Sequence, residues 1–214
     1  MYRPKINALL ISAGLSGRMG DFKPLIKLEN KAFVTKITEK LLDVCETVTV
    51  VTGFRNIDVE EEIRNSFQNN FPQFESRIKF VFNSDFYGGM FTSVKAGVVD
   101  MQDSDWILFH FVDQPIIPIN FYNELISQID DTYDWIQPVY DLKQGHPVLF
   151  KNTVIPKIIN APANYKMKLI RADDEIKKKY WVTDYKFILE DVDTKEDLMK
   201  ICLTENIEND FNKN

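Results

Sequence analysis

The segment WILFHFV, residues 106–112, is apolar at almost every position and is followed by Asp113. A strand with one wet face alternates apolar and polar side chains, whereas a short continuous apolar run is typical of a parallel strand that is covered on both faces. This segment therefore predicts a central strand of a parallel sheet, with helices packed on either side.

Short β-rich segments alternate with helical patterns along the chain, which indicates an α/β, Rossmann-like fold with a mostly parallel sheet and helices on both faces. The predicted strands are residues 6–12, 47–53, 78–82 and 106–112, and the predicted helices are residues 33–44, 57–67, 93–99, 118–129 and 194–203. DWIQPVYD and HPVLF are predicted to be two strands that pair with each other, and an antiparallel pairing is one possibility. YWVTDYKFIL is predicted to be a further strand. Because no repeat or linker divides the chain, we expect one domain at 1–204 and a polar tail at 205–214.

The 26 basic and 32 acidic side chains give a net charge of −6. A field of this sign repels nucleic acid and anionic lipid, so we expect neither nucleic acid nor a membrane as a partner. Cys45 and Cys202 are far apart in the sequence, which favours reduced thiols and a cytoplasmic protein. A secretory signal is the alternative for Arg3, Lys5 and the apolar run after them, but that run is short and lacks a convincing cleavage site.

A glycine-rich segment, SAGLSGRMGDFK, follows the first predicted strand. Gly14, Gly17 and Gly20 lack a Cβ, so the backbone amides of such a loop can approach a ligand closely. Arg18 and Lys23 add local positive charge, which suits a triphosphate that the acidic protein as a whole repels. The spacing of the glycines matches neither the dinucleotide fingerprint nor the Walker motif. From this spacing alone, a tight connecting loop that binds no ligand is an alternative.

Asp113 follows the most apolar strand in the sequence. Ligands in open α/β sheets bind beyond the carboxyl ends of the strands, so this carboxylate is a candidate ligand-binding residue. The structural alternative is a capping or turn aspartate before Pro115.

The segment ISAGLSGRMGDFKPL closely resembles the signature of the MobA-like nucleotidyltransferases. The residues that match this signature in register are Gly14, Ser16, Arg18, Met19, Gly20, Lys23 and Leu25. Ser12 stands where alanine is usual. Further blocks, VVTGF, NSDFYGGMFTSVKAG, VDQP, GHPVLF and DVDTKEDL, follow the order seen in the molybdenum cofactor cytidylyltransferases of this family.

The resemblance implies a nucleotide-diphospho-sugar transferase-like fold and Mg²⁺-dependent transfer of a nucleotidyl group to a phosphorylated acceptor, with release of pyrophosphate. The expected reaction joins CMP, taken from CTP, to the phosphate of molybdopterin, and a molybdoenzyme or its chaperone is a candidate partner. A phosphate monoester is largely dianionic near neutrality, so the reaction needs alignment and charge neutralisation more than a general base. The lack of an obvious Ser/His/Asp set agrees with this chemistry.

The same resemblance implies roles for individual residues. Arg18, Lys23 and Asp113 are the expected catalytic residues, and Asp113 with Asp193 is expected to bind Mg²⁺. An acidic residue before a helix is also favourable with the helix dipole, which is the alternative for Asp193. The expected nucleotide-binding residues are Ser12, Ala13, Gly14, Ser16, Gly17, Arg18, Lys23, Asn83, Gly89 and Ser93.

Substrate choice depends on two further features. Cytidylyltransferases of the family generally carry alanine where Ala13 stands, and its methyl group narrows the space for the base, so CTP is preferred to GTP. His146 of the GHP block is expected to bind the acceptor, although it could instead orient its loop. Relatives carry G-D-x-G-A-R after this block, whereas this chain has NAPANYKMKLI with Lys166, Lys168 and Arg171 nearby.

That departure leaves other phosphorylated acceptors open, namely a sugar phosphate or phosphocholine. The alternative from another class of protein is a nucleotide-binding accessory protein without catalytic activity. The combined presence of Arg18, Lys23 and Asp113 favours an enzyme.

Overall fold

The computed structural model describes residues 3–17 and 20–205. The predicted tail at 205–214 lies outside this part of the chain, except for Glu205. The strands are β1 (Ile6–Ser12), β2 (Lys27–Leu28), β3 (Lys31–Ala32), β4 (Thr47–Thr52), β5 (Ile78–Phe82), β6 (Trp106–Phe111), β7 (Trp135–Tyr140), β8 (Lys143–Gln144), β9 (Val148–Lys151) and β10 (Lys178–Val182). The helices are α1 (Phe33–Val44), α2 (Asn56–Asn70), α3 (Met90–Val98), α4 (Ile119–Ser127), α5 (Ile155–Asn160), α6 (Met167–Ala172) and α7 (Lys195–Glu205).

Eight strands form one mixed, mostly parallel sheet in the order β10-β7-β9-β6-β1-β4-β5, with β8 paired to β7. β1 lies between β6 and β4, and it is parallel to both. β9 is inserted between β6 and β7 and runs antiparallel to both, while β2 and β3 form a separate hairpin. The predicted α/β fold class is confirmed.

Helices cover both faces of the sheet because the central strands are apolar on both sides. Leu10 of β1 packs in a cluster with α1, α2 and α4, whereas its neighbours Leu9 and Ile11 pack in a second cluster with α3, α5 and α6. The side chains of β6 from Trp106 to Phe109 are fully buried, as the sequence predicts for a strand covered on both faces.

The later segments show where sequence patterns succeed and fail. The pairing of the WIQPVY and VLFK strands is confirmed as antiparallel. The prediction of one strand through YWVTDYKFIL is wrong beyond Val182, because the neighbouring strand β7 ends at Tyr140 and offers no further partner. The chain instead makes a 3₁₀ turn at Lys186–Leu189, and the short helices α5 and α6 were not predicted.

The topology brings distant segments to one edge of the sheet. β1, β4 and β6 are parallel, so their carboxyl ends share this edge, and the amino end of the antiparallel β9 meets them there. The backbone N–H of Val192 donates a 2.8 Å hydrogen bond to the carbonyl of Asp113, which joins the C-terminal segment to the same edge. Within the described ranges, every helix is too short or too polar to span a bilayer.

Replacement of Thr194 by alanine is expected to lower the free energy of unfolding by about 1 kcal/mol. The backbone N–H of Asp197 donates to the Thr194 hydroxyl at 3.1 Å and the Asp197 carboxylate accepts from the Thr194 backbone N–H at 2.8 Å, so alanine removes half of this reciprocal cap on α7. Denaturant unfolding measures the change. Thr194→Ser, which keeps the hydroxyl, is the control, and equal losses in the two variants would contradict the capping role.

Candidate active site

An open cleft of about 410 Å³ lies at the carboxyl edge of β1 and β6, on the face of the sheet that carries α3. This volume is within the usual range for small-molecule sites. The cleft brings together most of the residues that the sequence predicts for the site: Ala13, Gly14, Ser16, Gly17, Lys23, Gly89, Ser93 and Asp113. Arg18 lies outside the described residues, so its predicted role stays a prediction.

The glycine-rich loop follows β1, and its residues 14–17 line the cleft. Gly14 and Gly17 are exposed, and a Cβ at either position would meet no atom within 4 Å, which leaves the backbone open to a ligand. Ser16 adopts a left-handed φ of 57°. Its hydroxyl accepts a 2.9 Å hydrogen bond from the backbone N–H of Lys23, so the two ends of the loop are tied together.

Lys23 and Asp193 form an ion pair across the site, through the Lys23 ammonium group and a carboxylate oxygen of Asp193. The Lys23 side chain is only 12% exposed, so water screens this pair weakly. The pair connects the glycine-rich loop to the segment that precedes α7. The structure thus brings together two residues that were predicted to bind different partners, the triphosphate and Mg²⁺.

Asp113 is a residue of the cleft lining whose carboxyl group has a strongly shifted pKa. Burial is the main cause that raises its pKa to about 6, Asp191 and Asp193 raise it further, and Lys23 opposes them. One carboxylate oxygen, Oδ1, is buried without a hydrogen-bond partner among the described residues. A buried acceptor of this kind is expected to have a ligand.

The donor set at Asp113 fits a hard divalent cation. No three His, Cys, Asp or Glu side chains in the described ranges form a ligand cluster, so these ranges contain no closed cage for a metal ion. Mg²⁺ is usually bound by one or two carboxylates together with water and substrate phosphates. The unpartnered oxygen of Asp113 suits that arrangement, whereas Asp193 would have to share its carboxylate with Lys23.

The turn before α3 forms one side of the cleft. Asn83 is 5% exposed and lies beneath it, where its amide donates 2.9 Å hydrogen bonds to the hydroxyls of Thr92 and Ser93. Its side-chain oxygen accepts from the Asp85 backbone N–H at 3.0 Å, so Asn83 shapes the turn. Gly89 follows with a φ of 103°, a conformation that favours glycine.

Ser12 is the predicted nucleotide-binding residue that is least accessible. It is fully buried at the end of β1, it is absent from the cleft lining, and its hydroxyl has no hydrogen-bond partner within the described part of the chain. Its predicted role stays a prediction.

His146 lies behind the wall of the cleft. Its ring centroid is 4.8 Å from that of Phe111, which lines the cleft, and 5.9 Å from that of Phe109. Burial, with a smaller contribution from Arg171, lowers the pKa of His146 to about 4, so the ring is neutral at physiological pH. His110 is a core residue, with its Nε2 2.8 Å from the hydroxyl of Tyr122.

Sequence reasoning missed the apolar part of the cleft. Leu15, Phe86, Tyr87 and Met90 line it, and of these Tyr87 is 75% exposed. The rings of Phe86 and Tyr87 lie 4.4 Å apart. The sequence did contain a signal for this apolar part. Two aromatic residues stand directly before Gly-Gly in a segment that was already assigned to the site.

The fold and this cleft define an α/β protein in which a glycine-rich loop and a buried carboxylate line one cleft. A family model described as the MobA-like NTP transferase domain matches residues 8–177, and the chain belongs to this family of nucleotidyltransferases. A nucleotidyl transferase structure from Methanothermobacter thermautotroptrophicus has the same fold, with a TM-score of 0.73 and 18% identity over 92% of this chain and 95% of that one.

Two curated relatives differ in their nucleotide. The chain is 28% identical over 196 residues to the molybdenum cofactor cytidylyltransferase of Escherichia coli K12, covering 91% of this chain and 94% of that protein. It is 29% identical over 164 residues to a molybdenum cofactor guanylyltransferase of Aliivibrio salmonicida, covering 74% and 75% of the two chains.

Replacement of Asp113 by asparagine is expected to stabilise the protein at neutral pH by about 1–3 kcal/mol when chelator is present. The folded-state pKa of about 6 exceeds the ordinary 3.8, so unfolding releases a proton between these values and stability falls as the pH rises through them. Denaturant unfolding at neutral pH and near the ordinary pKa measures the difference.

The exposed Asp103→Asn variant serves as the control for this measurement. It also removes one carboxylate, but from the surface of the molecule. An equal gain in both variants would show that the Asp113 carboxylate is not strained by burial.

Proposed function

We propose that this nucleotidyltransferase transfers CMP from CTP to the phosphate of molybdopterin, with Mg²⁺ as the divalent cation and pyrophosphate as the second product. The observation that carries the proposal is that Lys23, Gly14 and Gly17 line one cleft with Asp113, whose Oδ1 has no hydrogen-bond partner within residues 3–17 and 20–205. The named activities of the relatives from Escherichia coli and Aliivibrio salmonicida support the acceptor. Residues 1–204 act as a single cytoplasmic domain in this proposal.

The proposed reaction is an in-line displacement at the α-phosphorus. An oxygen of the acceptor phosphate forms the new bond to phosphorus, while the bond to the β-phosphate oxygen breaks and its electron pair leaves with pyrophosphate. No side chain has to remove a proton, because a phosphate monoester with a second pKa near 6 is already largely dianionic at neutral pH. This explains why a neutral His146 is compatible with activity.

Each site residue then has a charge or positioning role. The ammonium of Lys23 neutralises negative charge on the triphosphate, and the exposed amides of the glycine-rich loop hold the phosphate oxygens. Asp113 and Asp193 would hold Mg²⁺. When bound, that ion supplies further charge neutralisation at the phosphates and orients them. Arg18 is proposed to act beside Lys23 on the basis of the family signature.

The choice of CTP over GTP depends on Ala13. Ala13 is almost fully buried between the loop and Gly53, and its carbonyl accepts a 3.3 Å hydrogen bond from the Phe54 backbone N–H. Its methyl group reduces the room at the base end of the cleft, which favours a pyrimidine. Asn83, Gly89 and Ser93 complete the proposed nucleotide site by fixing the turn before α3.

Pyrophosphate release with Mg²⁺, molybdopterin and either CTP or GTP tests the proposal. We expect turnover with CTP to exceed turnover with GTP, and Ala13→Gly to reduce this preference because the cavity widens. A panel of other phosphorylated acceptors, including a sugar phosphate and phosphocholine, is run in parallel. Turnover by GTP alone would reject the proposed base, turnover only with another acceptor would reject molybdopterin, and CTP binding without turnover on any acceptor would favour the non-catalytic accessory protein.

Asp113→Asn is expected to lower kcat by about 100-fold or more, because it removes a charged ligand of the cation that neutralises the phosphates. Steady-state kinetics over a range of Mg²⁺ concentrations measures the loss, and circular dichroism checks that the fold is intact. Asp103→Asn should retain wild-type turnover. Unchanged turnover in Asp113→Asn would remove Asp113 from the reaction.

A further inference from the structure

Arg171, near the end of α6, is a half-buried cation without a carboxylate partner among the described residues. One guanidinium nitrogen, Nη1, donates a 2.7 Å hydrogen bond to the side-chain oxygen of Gln137. Removing a charge from water without an opposite charge beside it is unfavourable. The remaining donors of this guanidinium are therefore suited to an anion that comes from solution.

Gln137 fixes the position of this guanidinium. It is 1% exposed in β7, and its side-chain nitrogen donates a 2.6 Å hydrogen bond to the carbonyl of Gly145 while its oxygen accepts from Arg171. The same oxygen lies 3.3 Å from the indole nitrogen of Trp135. One neutral amide thus joins α6 to the loop that contains His146, and it orients Arg171 without neutralising its charge.

Arg171 and the cleft lie on the same face of the sheet. Ile170 of α6 packs in one apolar cluster with Val94 of α3, and α3 borders the cleft. Arg171 is also close enough to His146 to influence its pKa electrostatically, and the His146 ring contacts Phe111 of the cleft wall. Arg171 is therefore linked to the wall of the cleft that contains Asp113 through His146 and Phe111.

Positive charge in this region comes from Arg171 rather than from histidine. Burial keeps the His146 ring neutral at physiological pH, so the ring adds no positive charge beside Arg171. A guanidinium is always charged and presents planar donors that match two oxygens of a phosphate group.

We propose that Arg171 binds the phosphate monoester of the acceptor, and that Gln137 is the positioning residue that orients Arg171 for it. The inference rests on the proposed nucleotidyl transfer, in which a dianionic phosphate must approach a triphosphate. Arg171 offsets the repulsion between these two anions and selects for phosphorylated acceptors. The segment NAPANYKMKLIRA thus contributes a cation to this part of the molecule.

Equilibrium titration tests the site independently of turnover. The intact chain, in the presence of a non-hydrolysable CTP analogue and Mg²⁺, is titrated with molybdopterin and with the same compound after phosphatase treatment. We expect the wild-type chain to bind the phosphorylated form at least about tenfold more tightly, as a charge-assisted contact implies. Arg171→Gln should bind both forms equally, and Arg171→Lys should recover part of the preference.

Lys168→Gln, an exposed cation on the same helix, is the matched control and should keep the full preference. A preference that survives in Arg171→Gln, or is absent from the wild-type chain, would overturn the proposal. A different result would show that the proposed function is wrong while the phosphate site is correct. Binding that depends on Arg171 together with no pyrophosphate release from any nucleotide would retain the site and reject the transfer.

Kinetics and a double substitution test the positioning role of Gln137. Arg171→Gln should raise the KM for the acceptor about tenfold and leave the KM for CTP unchanged within about twofold. Gln137→Leu should raise the same KM, but it should add no further loss in the Arg171→Gln background, because its effect passes through Arg171. Additive losses would indicate a general structural role and reject the positioning of Arg171 by Gln137.

Discussion

The Asp113 carboxylate stands at the end of a strand that is covered on both faces, where water reaches it poorly. A negative charge in such a place requires positive charge nearby, and Lys23 supplies it among the described residues. Lys23 is itself held through its backbone by Ser16 and through its ammonium group by Asp193. The charges around the Asp113 carboxyl group therefore come from three segments that meet at one edge of the sheet. These segments are the first loop, the central strand and the C-terminal segment.

Most of the sheet was predictable because its strands carry a local signal. The apolar run at 106–112 indicates burial on both faces by composition alone. The cap at the start of α7 is predictable from the four consecutive residues 194–197, which contain both of its partners. The short helices α5 and α6 carry no such signal, since six residues are too few for a clear period. They form because Ile155 and Ile170 are covered by the sheet, which is a tertiary effect.

The residues of the candidate site were predictable to the extent that they lie in contiguous motifs. Gly14, Gly17 and Lys23 of the first loop and Asp113 at the strand end were found this way, and all four line one cleft. The contact of Arg171 with Gln137 was not predictable, because the two residues are 34 positions apart and each looks unremarkable alone. The neutral state of His146 was equally hidden, since it follows from burial beside Phe111.

The ion pair between Lys23 and Asp193 joins positions 170 residues apart, and Asp193 lies beyond residue 177, where the match to the family model ends. During synthesis on the ribosome, the first loop emerges long before the carboxylate that anchors its lysine. The ion pair therefore cannot form until the segment before α7 has been translated. Its formation is thereby one of the last steps in the maturation of this edge of the molecule.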